Sequence, residues 1–100
     1  MDSQKKQEIY RRALSAFGIE SQTYMLVEEC GELLNALAKL RRKRVQVADV
    51  ITELADVSIM CEQLATYFDI RKFKMEKDRK LERLKERIEK HEHGEQHAVG

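Results

Sequence analysis

Along two stretches of this chain, apolar residues recur at alternating steps of four and three. Leu26, Cys30, Leu33, Leu37 and Leu40 form the first series; Val50, Leu54, Val57, Cys61, Leu64 and Phe68 form the second. This alternation is the signature of a narrow packing seam between α-helices. No proline interrupts the 100 residues and only four glycines occur, so long helices meet no breaker. The predicted fold class is all-α, a helical bundle with helices over about residues 3–17, 21–42, 47–67 and 70–91. Gly18 reads as the stop of the first helix. Ser21 reads as the N-cap of the second, and Asp49 as a cap of the third if its start is shifted. Val27, Leu34 and Ala38 widen the apolar surface of the second helix beyond one seam. A lone chain of this size buries limited apolar surface, so oligomerisation is expected to complete the core. Residues 1–92 are expected to form one domain and residues 93–100 a flexible tail, where histidines at 91, 93 and 97 bind metal weakly at most.

Composition excludes more than it selects. The net charge is +1, which points to neither nucleic acid nor acidic partners. No apolar run approaches the roughly 20 residues of a membrane span. The polar N-terminus has no apolar targeting segment, so a cytoplasmic location is expected. Cys30 and Cys61 occupy seam positions and read as buried thiols in a reducing compartment. Arg41, Arg42, Lys43 and Arg44 form a basic run. Favourable charge at a helix C-terminus explains it, and attraction of a phosphate chain is the functional alternative. It carries no interleaved aromatics, which weakens a single-strand-binding reading.

The acids are more specific. Glu29 and Glu32 immediately precede Cys30 and Leu33, and Glu53 and Asp56 immediately precede Leu54 and Val57. Each acid therefore lies roughly 100° from a seam residue, on the same side of both stripes. If the seams pack together, four carboxylates converge on one small space. Such a group repels itself and loses hydration. It must protonate, pair with Lys or Arg, or bind a cation, and an all-oxygen donor set suits Mg²⁺, Mn²⁺ or Ca²⁺ rather than Zn²⁺. In the last helix, Lys80, Arg83 and Arg87 precede Leu81, Leu84 and Ile88, giving a basic edge. Intrahelical pairs such as Glu82–Lys85 and Glu86–Lys90 are the simpler use of that charge. Tyr24, Tyr67, Phe68 and Phe73 are expected mainly as packing mass, with base stacking as the alternative. Asn35 is placed one turn after Glu32 to read a base or sugar, or to join a polar network. No glycine-rich phosphate loop and no Ser-His-Asp or Cys-His constellation is present.

Glu28-Glu29-x-x-Glu32, followed after twenty residues by Glu53-x-x-Asp56, resembles the signature of the MazG-like, all-α nucleoside triphosphate pyrophosphohydrolases. The stretch Glu53 to Leu64 looks like the third helix of that superfamily, and Lys80 to Leu84 resembles the basic stretch that follows it. The likeness covers roughly residues 5 to 90. It implies an all-α fold assembled as a homodimer or homotetramer. It also implies Mg²⁺-dependent cleavage (Mn²⁺ as substitute) between the α and β phosphates of a nucleoside triphosphate, giving a monophosphate and pyrophosphate. By position, Glu29, Glu32, Glu53 and Asp56 would hold the metal, Glu28 would orient water or stay solvated, and Lys80 and Arg83 would contact phosphate. The expected partner is the nucleotide substrate, with no membrane and no nucleic acid. The alternative function is a non-catalytic nucleotide-binding or regulatory helical protein. Nothing in the residues chooses a nucleobase.

Overall fold

The computed structural model describes residues 1–99, with side-chain surroundings through residue 94. Four helices make up the chain: α1 (Ser3–Phe17), α2 (Ile19–Arg41), α3 (Val47–Phe68) and α4 (Ile70–Val99). No strand occurs among the described residues, so the fold is all-α as expected.

Local chemistry sets each boundary. Asp2 caps α1, its carboxylate accepting from the Lys5 N–H at 2.8 Å. Gly18 ends α1 at φ 84° and donates its N–H to the Leu14 carbonyl at 2.9 Å. The same glycine is the N-cap of α2. Ser21, the expected cap, therefore lies inside α2, because a glycine at positive φ redirects the chain without any linker. The end of α2 is a Schellman motif. Arg44 N–H donates to the Lys39 carbonyl at 2.8 Å and Lys43 N–H to the Leu40 carbonyl at 2.9 Å. Lys43 holds φ 59°, in the left-handed region where this motif usually places glycine. The start of α3 is not shifted, so Asp49 is not its N-cap but an acid of its first turn. Its side chain accepts from the Gln46 N–H at 3.3 Å while its own N–H donates to the Gln46 carbonyl at 3.0 Å. The segment Val45–Val47 forms no strand.

The chain divides into two compact units, residues 1–68 and the α4 unit from residue 69 onward. In the first unit, α2 and α3 form a hairpin that supplies most of the packing, and α1 lies mainly against α3. Polar pairs set the register. Gln63 Nε2 donates to Gln22 Oε1, with both residues buried. Thr66 Oγ1 donates to Gln7 Oε1 at 3.1 Å, and the Tyr10 hydroxyl donates to Glu62. Burying this pair is tolerable because the Gln22 carbonyl accepts from Gln63 while the Gln22 Nε2 donates in turn to the Met25 sulfur at 3.7 Å. Burial, and then the hydrogen bond and charge of Glu62, push the Tyr10 pKa from 10.0 up to about 12. The neutral phenol is thus favoured by folding. Its contribution is complete below pH 10.0 and is lost as pH climbs toward about 12.

The seams differ from the expected ones. On α2, the residues turned inward are Gln22, Leu26, Glu29, Leu33, Ala36 and Leu40, while Cys30 and Leu37 are exposed. On α3, they are Val50, Glu53, Val57, Met60 and Leu64, while Leu54 and Phe68 are exposed. Both observed series keep the three–four alternation. The expected Cys30 burial is therefore incorrect, Cys61 is half-buried, and neither cysteine forms a disulfide.

Within the second unit, α4 continues to Val99 through the segment expected as a tail. Gly100, and the side chains beyond residue 94 including that of His97, lie outside the described residues. On α4, Arg79 pairs with Glu76 at 2.8 Å, and the expected Glu82–Lys85 and Glu86–Lys90 pairs are not formed among the described residues. Lys77 Nζ stands 5.4 Å from the centre of the Phe73 ring.

A lysine at the left-handed position of the α2 cap carries a steric cost that glycine lacks. Lys43→Gly is expected to stabilise the protein by about 0.5–1 kcal/mol after allowing for the looser unfolded chain. Chemical denaturation checks this, and a loss of stability would contradict the assigned cap geometry.

Candidate functional site

The two seams bring acids together at mid-hairpin. Glu29 from α2 meets Glu53 and Asp56 from α3, and one carboxylate oxygen of each lies within 4.8 Å of the others. All three residues are half-buried. Glu32, one turn after Glu29, is exposed and sits at the rim, close enough to interact with both Glu29 and Glu53. The expected four-acid convergence is thus three gathered carboxylates with a fourth at the mouth. Glu28 is exposed and outside the group. Lys80 and Arg83 are exposed residues of α4, in the other unit.

Why the hairpin folds this way follows from the helical repeat. Glu29 falls between Leu26 and Leu33 in the α2 seam, and Glu53 between Val50 and Val57 in the α3 seam. Packing of the flanking aliphatic residues carries both acids inward. The same wheel puts Glu32 and Asp56 on one flank of the hairpin. Val27, Leu34 and Leu37 of α2, with Val47, Ile51 and Leu54 of α3, turn to the other flank, roughly 100° round from each seam. Those six are exposed, from 43% at Leu37 to 68% at Leu34. The acid mouth and a broad apolar face therefore lie on opposite sides of one hairpin.

The electrostatics are unfavourable as they stand. Oε2 of Glu29 and Oε2 of Glu53 are shielded from solvent and have no hydrogen-bond partner. Among the described residues, no Lys or Arg forms an ion pair with any of the four acids. Desolvation first, then the charges of Glu32, Asp56 and Glu53, raise the Glu29 carboxyl above its usual range. Desolvation first, then Glu32 and Asp56, raise Glu53 as well. When one carboxyl of the Glu29–Glu53 couple carries a proton it can donate to the other, which favours the singly protonated pair. Of the three outcomes open to a clustered acid set, pairing with Lys or Arg is not realised. Protonation and cation binding remain, and the second matches the oxygen-only donors.

The other sequence-derived candidates fall elsewhere. Tyr24, Tyr67 and Phe68 are exposed rather than core, and the last two meet edge to face at 5.2 Å. Asn35 is exposed. The buried Gln22–Gln63 pair and the Tyr10–Glu62 contact were not anticipated. Gln22 occupies the same series as Glu29 at a spacing of seven, which is the signal that would have found it.

Compared with protein-family profiles, curated proteins and solved structures, the chain shows no match.

A carboxyl whose pKa is raised by folding stabilises the fold below its unfolded value, and that stability is lost as pH rises through the folded value. For Glu29 and Glu53 the full contribution is present below 4.5 and is lost as pH rises through their raised folded-state values. Glu53→Gln is therefore expected to raise the melting temperature of the metal-free protein at neutral pH. The gain over wild type should shrink on acidification below the carboxylate range. A lower melting temperature for the variant at neutral pH would show that the acids are not in conflict.

Proposed function

We propose that this protein is a Mg²⁺-dependent nucleoside triphosphate pyrophosphohydrolase acting in the cytoplasm. The observation that carries the reading is the carboxylate trio of Glu29, Glu53 and Asp56, two members of which hold shielded oxygens without a partner. That donor set fits a hard divalent cation. Bound there, Mg²⁺ (or Mn²⁺) would polarise a phosphoryl oxygen and lower the pKa of a coordinated water. The chain's own residues do the rest. Glu29 and Glu53, flanked by aliphatic residues of the seam, would hold the cation. Asp56 and Glu32 face the open flank, where a polyphosphate enters. Glu32, exposed at the rim, would complete the ligand set from the open side, and Glu28, on the same helix flank, would orient water. The family resemblance would give Lys80 and Arg83 of α4 the role of phosphate contacts.

Assembly as a homo-oligomer belongs to the same proposal. The apolar face of Val27, Leu34, Leu37, Val47, Ile51 and Leu54 is what an isolated chain would hide. It lies opposite the acid mouth, so a second copy can cover it without closing the site.

With a panel of canonical, deoxy and oxidised nucleoside triphosphates, Mg²⁺ should support release of pyrophosphate plus monophosphate, and EDTA should stop it. Glu53→Gln should reduce turnover by at least about 100-fold while the protein remains helical. Full activity in that variant would remove the trio from the chemistry. Binding of nucleotide with Mg²⁺ but no product from any substrate would favour the non-catalytic sensor instead. Separately, Ile51→Asp is expected to shift sedimentation from oligomer to monomer, and a wild-type chain already monomeric would refute assembly through this face.

A further inference from the structure

The basic turn between α2 and α3 is not used by the acid site. Lys39, Arg41, Arg42, Lys43 and Arg44 place five cations in six residues, against a net charge of +1 for the entire chain. All five are exposed, and none forms an ion pair among the described residues. The helix C-terminus rewards Lys39 and Arg41, which lie in the last turn of α2. It does not account for Lys43 and Arg44, which lie beyond it.

Three structural facts bear on what the turn does. First, Lys43 sits at φ 59° at the glycine position of a Schellman motif, so a cation is kept where the backbone favours its absence. Second, the turn is locked. The Arg44-to-Lys39 and Lys43-to-Leu40 backbone bonds fix the directions in which the cations leave the chain. Third, it is electrically separate from the acid site. Glu32 precedes Lys39, the first cation of the turn, by seven residues of one helix, about 10 Å of rise, and Arg41 by nine, about 13 Å. Both exceed a Debye length of about 8 Å at physiological salt. The acid at the start of α3, Asp49, is engaged with the Gln46 N–H.

We propose that the Lys39–Arg44 turn is a docking site for the phosphate backbone of a nucleic-acid duplex. Three of the five cations are arginines, whose planar fork suits phosphate oxygens. No aromatic side chain lies in the turn, so unpaired bases find no stacking platform and the contact is to phosphate alone. Anionic membrane is the poorer fit. Leu40 and Val45 are half-buried; of the exposed apolar residues nearest the turn, Ala38 and Val47 are small, and Leu37 and Val47 belong to the face proposed to be covered by a second copy. The net charge of +1 gave no reason to expect this partner; the local geometry does. The inference is independent of the proposed hydrolase activity.

Fluorescence anisotropy of a short labelled DNA duplex, titrated with the full chain across about 50–200 mM salt, tests it. Neutralising four to five phosphates predicts a slope of log K against log salt near −3.6 to −4.5. The triple variant Arg41→Ala, Arg42→Ala, Arg44→Ala should flatten that slope by about 2.7, and Lys43→Gly, which keeps the turn, by about 0.9. Circular dichroism confirms that each variant is folded. Three results would overturn the proposal: no duplex binding at low salt, binding that the triple and Lys43→Gly variants leave unchanged, or binding to phosphatidylserine vesicles but not to the duplex.

Discussion

Two glutamates in a helix–helix seam are the constraint on which the rest of this structure depends. Glu29 and Glu53 occupy positions that an ordinary hairpin would give to leucine, and their inner oxygens meet neither water nor a donor. Holding them there opposes desolvation and like-charge repulsion together. The apolar residues that flank them in the two seams, Leu26, Leu33 and Ala36 on α2 and Val50, Val57 and Met60 on α3, are buried or half-buried and favour the closed hairpin. Stability is thus supplied by the two ends of the seam and drawn down at its middle. A site built in this way needs no loop to form it, and its geometry is as rigid as the helices that carry it.

The polar contacts away from the acids serve a different end. Gln22–Gln63, Gln7–Thr66 and Tyr10–Glu62 each link two helices and each specify one register. A one-turn slip of α2 against α3 would leave both glutamines buried without partners. It would also pull Glu29 away from Asp56 and Glu53. The buried amides therefore protect the alignment of the acids at a distance from them. Charge is segregated along the same hairpin, with acids at its middle and cations at its turn, which a nearly neutral total conceals.

Much of the architecture was legible in the sequence. Helix number and type, the stop at Gly18 and the starts of α1, α3 and α4 follow from spacing, from glycine and from the lack of proline. Which stripe faces inward was not legible. On α2, Leu26, Cys30, Leu33, Leu37 and Leu40 and the series Leu26, Glu29, Leu33, Ala36 and Leu40 have the same alternation. Apolarity favours the first, and the structure adopts the second. The apolar residues so displaced, Cys30 and Leu37 with Val27 and Leu34, form the exposed face instead. Hydrophobic ranking fails here because charged residues take seam positions while the apolar residues they displace stay exposed. The acid set itself was legible, since two carboxylate pairs in matching register are rare. Its depth was not, because apolarity alone puts Glu29 and Glu53 beside the seam rather than in it.

The central claim is that the seam acids are completed by a divalent cation. Thermal melting of the full chain at neutral pH, in Mg²⁺ and in EDTA, tests this most directly, because a ligand held only by the native state must raise the melting temperature. The account predicts a rise of several degrees in Mg²⁺ that saturates with concentration and is absent in Glu29→Gln. An identical melting temperature in Mg²⁺ and EDTA, or a rise that Glu29→Gln retains in full, would contradict it.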